Sequence, residues 1–145
     1  MTRNRRVRVI LIIMSLAFLV GCNNKCNHPP RQSLENIKAV ELIEITSRSF
    51  LDYEDVCNAK VLRTVDPESW TMLINEIEEL PCTRHVMDPS VSYHGSVLRI
   101  QYEDGSMELM SRCGLAVWDG SDWSCESHVV DEEVYTNFCG RIVGE

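Results

Sequence analysis

Basic residues are scarce in this chain of 145 residues, where 14 Lys and Arg stand against 22 Asp and Glu for a net charge of −8. Four of the 14 basic residues are arginines within the first eight positions, so residues 22–145 carry 10 basic and 22 acidic side chains and a net charge of −12. Such a surface repels phosphate backbones, and the sequence contains no local basic patch. The composition therefore excludes nucleic-acid binding.

Long apolar runs are almost absent too, because the chain has a single one. Residues 9–20 are apolar except for Ser15, and they follow the arginine-rich start. This run of 12 residues suits the core of a secretory signal peptide. It is well short of the ~20 residues that a helix needs to cross a bilayer. The sequence thus predicts a signal peptide over residues 1–21 and no other membrane segment.

The end of this leader carries a more specific pattern. Leu19, Val20, Gly21 and Cys22 together resemble the lipobox of bacterial lipoprotein precursors. The resemblance implies cleavage before Cys22, diacylglycerol on its sulfur, and acyl chains such as palmitate that anchor the protein durably in the membrane. It places the protein on the extracytoplasmic side of the cell membrane, or on an outer membrane where one exists, since Asn23 follows the cysteine. A plain secretory peptide or a short uncleaved anchor is the alternative.

A polar segment separates the leader from the rest of the chain. Residues 23–33 contain no Val, Ile, Leu, Met, Phe, Tyr or Trp, and Pro29 and Pro30 favour an extended backbone. We expect residues 22–36 to be a lipidated cysteine and tether, and residues 37–145 to form one domain. A domain of this size buries about two thirds of the surface that its unfolded chain exposes.

Six cysteines besides Cys22 form an even set, which in an exported chain indicates disulfides. They are Cys26, Cys57, Cys82, Cys113, Cys125 and Cys139. A helix of about 14 residues that folds back along a strand of about six would bring Cys82 to Cys57, and this predicts that the two pair. We favour Cys113 with Cys125 and Cys26 with Cys139 for the others, although the sequence does not decide it. No C-x-x-C and no histidine pair at ligand spacing supports zinc, so we expect no metal and no cofactor.

Hydrophobic periodicity predicts an α+β domain with a mainly antiparallel sheet, closed by these disulfides. One helix begins at Asp66 and Pro67, carries an apolar stripe from Trp70 to Leu80 and ends at Pro81. The predicted order is two strands at 40–45 and 60–65, this helix, a meander of four strands, and a last helix capped by Asp131. Residues 66–142 loosely resemble small uncharacterised bacterial lipoproteins, a resemblance that implies the fold and no activity.

The first hairpin of the meander determines which residues face the core. A two-residue turn at Asp104 and Gly105 aligns the apolar side chains of both strands on one face. The resulting pairs are Tyr102 with Met107, Ile100 with Leu109, and Leu98 with Ser111. This alternation predicts one wet face of the sheet and one face covered by the helix that contains Trp70.

The second hairpin, with strands at 115–118 and 123–130, offers a candidate contact surface. Trp118 and Trp123 flank its turn, and they could stack on a sugar or insert into a partner, or form an aromatic pair that stabilises the sheet. Acidic residues of the turn at 119–122 could gather Ca²⁺ ligands. We prefer a plain turn, because Asp-Gly is typical of tight turns and the twelve-residue calcium loop is missing.

Common catalytic signatures are missing from the sequence, including G-x-S-x-G, H-E-x-x-H and glycine-rich phosphate loops. We therefore favour a non-catalytic binding domain for a protein or cell-wall ligand. A sharper form is an inhibitor of a basic enzyme such as a lysozyme. The alternatives are a small envelope hydrolase that uses His128 with the acidic groups near Asp131, and a structural subunit of an envelope complex.

Lipidation is tested by intact mass spectrometry of the protein extracted from membranes. We expect a mature chain that starts at Cys22 and carries diacylglycerol on the sulfur, because the leader resembles a lipobox. A bare sulfur at this position would contradict the prediction. Recovery of a tagged copy from the cell interior with all thiols reduced would contradict it as well.

Overall fold

A computed structural model describes residues 32–46, 51–84 and 93–144. These residues form a seven-stranded antiparallel sheet in the order β2-β1-β4-β5-β6-β7-β3, together with three α-helices. Along the chain the elements are β1 (Ile37–Ile45), α1 (Tyr53–Cys57), β2 (Lys60–Thr64), α2 (Trp70–Glu79), β3 (Cys82–Arg84), β4 (Gly95–Tyr102), β5 (Met107–Ser111), β6 (Gly114–Trp118), β7 (Trp123–Val130) and α3 (Glu132–Val143). The predicted α+β class with a mainly antiparallel sheet is confirmed. The predicted signal peptide, Cys22 and Cys26 lie outside the described residues.

The two long helices begin in different ways. At α3 the carboxylate of Asp131 accepts hydrogen bonds from the amides of Glu133 and Val134 at 3.0 and 3.2 Å, which confirms the predicted cap. The side chain of Asp66 makes no such bond, because the chain enters α2 through a 3-10 turn at Pro67–Ser69. The five-residue α1 and the three-residue β3 were not predicted, since elements this short show no measurable periodicity.

One face of the sheet is covered by α2 and α3. Leu73, Ile74 and Ile77 of α2 belong to the same buried cluster as Leu98 and Ile100 of β4. Tyr135 and Phe138 of α3 complete this cluster. The prediction that the helix containing Trp70 covers the sheet is confirmed.

The opposite face was predicted to be wet, and this is wrong. Val97 of β4 and Leu109 of β5 are fully buried there, in a second cluster with Ile43 and Val56. The short helix α1 supplies Val56, and Trp118 and Trp123 pack against the cluster from one side. Both faces of the central strands are therefore closed to solvent.

The register of the β4–β5 hairpin explains part of this error. Leu98 lies opposite Met110 and Ile100 lies opposite Glu108, one residue away from the predicted pairing. The loop has three residues instead of two, and Gly105 adopts a φ of 85° at its end. This arrangement is typical of a turn followed by a glycine bulge. A shift of one residue turns every side chain of β5 to the other face, so Leu109 joins the second cluster.

A buried ion pair joins β1 to β4 within the second face. Arg99 donates from Nη2 and Nε to Oε2 of Glu41 at 2.5 and 3.0 Å, and the two side chains are 5% and 15% exposed. The remaining Nη1 donates to the carbonyl of Val56 at 2.6 Å. Gln101 donates to the same Glu41 oxygen at 3.2 Å. These bonds let a charge lie under α1, because the guanidinium and the carboxylate satisfy each other.

The predicted disulfides are not formed. Cys57, Cys113, Cys125 and Cys139 all have free thiols. Cys57 precedes β2 at one edge of the sheet, whereas Cys82 lies in β3 at the other edge. A disulfide needs Cα atoms within about 7 Å, and the sheet order separates these two backbone positions by far more. The sequence prediction failed because it assumed that α2 returns to the start of β2.

Removal of Arg99 should destabilise the fold strongly. Arg99→Ala leaves the Glu41 carboxylate without its buried partner, which should lower the free energy of unfolding by about 3 kcal/mol in urea titrations. Lys60→Ala is the matched control, because the Lys60–Glu44 pair is 72% and 43% exposed and contributes less than about 1 kcal/mol. Equal losses of unfolding free energy in the two variants would show that the buried pair contributes no more to stability than the exposed pair.

Candidate functional site

The two tryptophans predicted as a contact surface pack against each other across the β6–β7 hairpin. Their ring centroids are 5.4 Å apart, and Tyr53 of α1 lies 4.8 Å from Trp118. Both indoles are half-buried against the second cluster. This row of three rings, here called the aromatic row, ties α1 to the hairpin, and the role of its outer edges in binding stays a prediction.

In the turn between these strands, the Asp119 side chain forms hydrogen bonds to other residues of the same turn. Oδ1 of Asp119 accepts hydrogen bonds from the amide and hydroxyl of Ser121, both at 2.9 Å, and from the amide of Asp122 at 3.1 Å. These bonds are typical of an Asx turn. Across the described ranges, no three His, Cys, Asp or Glu side chains come together in a way that could hold a metal ion.

A groove of about 730 Å³ opens at the far end of the sheet from this turn. Three separate segments line it: the start of β4, the β5–β6 turn and the first eight residues of α3. The lining residues are His94, Gly95, Ser96, Ser111, Arg112, Cys113, Glu132, Tyr135, Thr136 and Cys139. Most of these side chains carry hydrogen-bonding groups, so the groove suits a polar ligand.

Hydrogen bonds hold the walls of the groove in place. The amide of Val130 donates to the carbonyl of Arg112 at 2.8 Å, which fixes the β5–β6 turn to β7. The hydroxyl of Tyr135 lies 3.0 Å from the carbonyl oxygens of both Ser96 and Met110, and it attaches α3 to β4 and β5. The groove is therefore built on regular elements and needs no rearrangement to exist.

The charges along the groove are mixed. Nη1 of Arg112 lies 3.5 Å from Oε2 of Glu132, and both side chains are exposed. An exposed pair of this kind contributes little to stability, so each partner is available to a ligand at small cost. The groove thus offers both a cation and an anion at its mouth.

Two buried groups in the groove have strongly shifted pKa values. Burial, with the nearby Cys139 thiol adding to the effect, raises the pKa of the Tyr135 phenol well above its ordinary value. Burial also raises the pKa of Cys139 to about 11, although the hydrogen bond from Tyr135 opposes the shift. Both groups stay protonated at neutral pH, so neither acts as a base or a nucleophile there.

Of the acidic residues near Asp131 that the hydrolase hypothesis uses, Glu132 lines the groove. Asp131 uses its Oδ1 atom to cap α3, and the side chain of His128 lies outside the described part of the structure. Ser111 accepts from the amide of Cys113 at 3.1 Å, and its hydroxyl donates to the carbonyl of Gly114 at 3.3 Å. In the structure the Ser111 hydroxyl closes the β5–β6 turn, and the Asp131 carboxylate caps α3.

Comparisons of the chain with protein-family models, with curated proteins and with solved structures found no match. Within the described part of the chain, no helix is long and apolar enough to cross a membrane. The chemistry of the groove and of the leader sequence is therefore the basis for a functional conclusion.

The raised pKa of Cys139 predicts slow alkylation of this thiol. In reduced protein at pH 8, iodoacetamide should modify the exposed Cys57 and Cys125 well before Cys139, because the thiolate is the reactive form. The rate at Cys139 should rise about tenfold per pH unit until the pH approaches its pKa of about 11. Peptide mass spectrometry over time measures each site. The same protein in urea is the control, and fast labelling of Cys139 in the folded protein would contradict the assignment.

Proposed function

We propose that this chain is a lipid-anchored, extracytoplasmic binding domain that takes a polar ligand of the cell envelope in the groove between the β5–β6 turn and α3. The observation that carries the proposal is the groove itself. Its volume of about 730 Å³ lies within the range of roughly 300–1,000 Å³ that is usual for ligand sites.

The leader sequence supports the location. A basic start, an apolar run of 12 residues and Leu19-Val20-Gly21-Cys22 follow one another as in lipoprotein precursors. A protein held at the outer face of a membrane meets cell-wall material and envelope proteins. A cell-wall fragment is the ligand class that this location favours.

The lining of the groove supports recognition of such a fragment. Arg112 and His94 can meet the carboxylates of a cell-wall peptide, while Glu132 can meet its ammonium groups. Thr136 and the backbone around Gly95 supply further hydrogen-bonding groups at the same surface. The peptide and sugar parts of a cell-wall fragment both carry many hydrogen-bond donors and acceptors that could pair with these groups.

The chemistry of the buried groups favours binding over covalent catalysis. A nucleophile needs a lowered pKa or an adjacent base, and the pKa values of Tyr135 and Cys139 are shifted upwards. The Tyr135 hydroxyl is also engaged by two backbone carbonyls. These two groups give the groove shape and rigidity.

Titration calorimetry with a soluble muropeptide tests the proposal on the mature domain. We expect saturable binding that Thr136→Trp weakens at least about tenfold, because an indole at this exposed position fills the groove. Thr71→Trp on the exposed surface of α2 is the matched control and should bind as the parent does. Absence of muropeptide binding, or equal weakening by both variants, would overturn the groove as the site.

The charge of the domain favours a second candidate, an inhibitor of a basic hydrolase such as a lysozyme. Residues 22–145 carry a net charge of −12, which steers a basic protein towards the domain. Inhibition of lysozyme that weakens as salt is added, in the absence of muropeptide binding, would favour this candidate.

A further inference from the structure

The groove carries one acidic and one strongly basic side chain, and these lie next to each other. Among the described residues that line it, Arg112 is the only Lys or Arg and Glu132 is the only Asp or Glu. Nη1 of Arg112 lies 3.5 Å from Oε2 of Glu132, although the two residues belong to separate segments, the β5–β6 turn and α3. Asp131 and Glu133, which flank Glu132 in the sequence, are not among the lining residues. A ligand in the groove therefore meets the two opposite charges together.

Two other ionisable side chains of the lining add no charge at neutral pH. Burial raises the pKa of the Tyr135 phenol well above its ordinary value, and it raises the pKa of the Cys139 thiol to about 11. Both groups therefore stay protonated. The electrostatic pattern of the groove follows mainly from Arg112 and Glu132.

The Arg112–Glu132 pair can give up its internal contact to bind a ligand. The two side chains are 42% and 81% exposed, and an exposed ion pair contributes little to stability because water screens it. Their separation of 3.5 Å is also longer than the roughly 2.7–2.9 Å of a strong charge-assisted hydrogen bond. Both side chains therefore keep hydrogen-bonding atoms for a ligand while they remain neighbours.

The closeness of the two charges selects among charged ligands. A lone carboxylate on Arg112 is repelled by the neighbouring Glu132, and a lone ammonium on Glu132 is repelled by Arg112. A group that carries both charges avoids both penalties, because its carboxylate faces Arg112 while its ammonium faces Glu132. Each of the four charges then has opposite charges as its nearest neighbours.

An α-amino acid group has the spacing that this arrangement requires. Standard bond lengths place its ammonium nitrogen about 3 Å from its carboxylate oxygens. This spacing is close to the 3.5 Å between Nη1 of Arg112 and Oε2 of Glu132. The guanidinium can bind a carboxylate through two parallel hydrogen bonds, and an ammonium supplies three donors to a glutamate. The two sides thus match in charge and in distance.

We propose that Arg112 and Glu132 form a subsite for a free α-amino acid group, in which one carbon atom carries both an ammonium and a carboxylate. This inference rests on the proposed function of the groove and names the part of a cell-wall peptide that the groove recognises. Most amino and carboxyl groups of such a peptide are consumed in amide bonds. A diamino dicarboxylic residue keeps a free α-amino acid group at the end of its side chain, whereas a lysine keeps only an ammonium there.

Titration calorimetry with three tripeptides tests the subsite on the full mature chain in detergent solution. The first, alanyl-γ-glutamyl-diaminopimelate, has a free α-amino acid group on its side chain. The second has an amide in place of the side-chain carboxylate, and the third has lysine in place of diaminopimelate. We expect the first to bind at least about tenfold more tightly than the other two, because it alone supplies a carboxylate to Arg112 beside an ammonium for Glu132.

Substitutions assign this preference to the two side chains. Arg112→Gln should bring the affinities for the free acid and the amide within about twofold of each other, because glutamine carries no positive charge. Glu132→Gln should weaken binding of the free acid about tenfold, because the ammonium loses its anionic partner. Lys60→Gln is the matched control, since Lys60 and Glu44 form an exposed ion pair outside the groove, and it should keep the full preference. Circular dichroism checks that each variant keeps the fold.

The outcomes separate this inference from the proposal on which it rests. Equal binding of the three tripeptides would overturn the subsite and leave the groove as a binding site for cell-wall peptides. A preference for the free acid that Arg112→Gln leaves unchanged would overturn the subsite as well. Binding of none of the three would overturn the proposed function together with the subsite.

Discussion

The buried ion pair between Arg99 and Glu41 holds the second face of the sheet together. It places two charges on the face of the sheet that lacks the long helices, and both are satisfied there by each other, by Gln101 and by the carbonyl of Val56. A carbonyl from α1 on Arg99 fixes that helix over the strands. Both faces of the central strands are then covered, and in the described part of the chain the polar groove lies at one end of these strands.

The sequence predicted the elements whose apolar spacing is long and regular. The stripe on α2, the β6–β7 hairpin and the Asp131 cap of α3 each depend on contacts within one short segment, and the structure confirms them. The register of the β4–β5 hairpin was wrong by one residue. Asp-Gly fits a two-residue turn and also the last two positions of a three-residue loop, and the alternation of apolar residues was compatible with both. Hydrogen bonds from Ser106 to Asp104 favour the longer loop.

Cysteine pairing and the groove depend on the order of strands, which local patterns do not contain. Placing Cys57 beside Cys82 required β2 and the end of α2 to be neighbours, whereas β2 and β3 lie at opposite edges. The groove brings His94 together with Cys113 and Cys139, three residues that share no motif and lie in separate segments. A signal for such a site would have required knowledge that α3 crosses the ends of β4 and β5, which is fixed by the bonds of Tyr135.

The two ends of the sheet differ in charge because their turns are closed by different side chains. Both turns at the end of the strands opposite the groove contain Asp-Gly-Ser, and in each the aspartate accepts hydrogen bonds from the serine two residues later. The turn at the groove end is closed by the neutral hydroxyl of Ser111, which accepts from the amide of Cys113, and the residue between them is Arg112. Acidic charge therefore collects at one end as a consequence of turn formation. The groove lies at the other end of the strands, so the side chains that close the hairpins also determine the charge around the proposed binding surface.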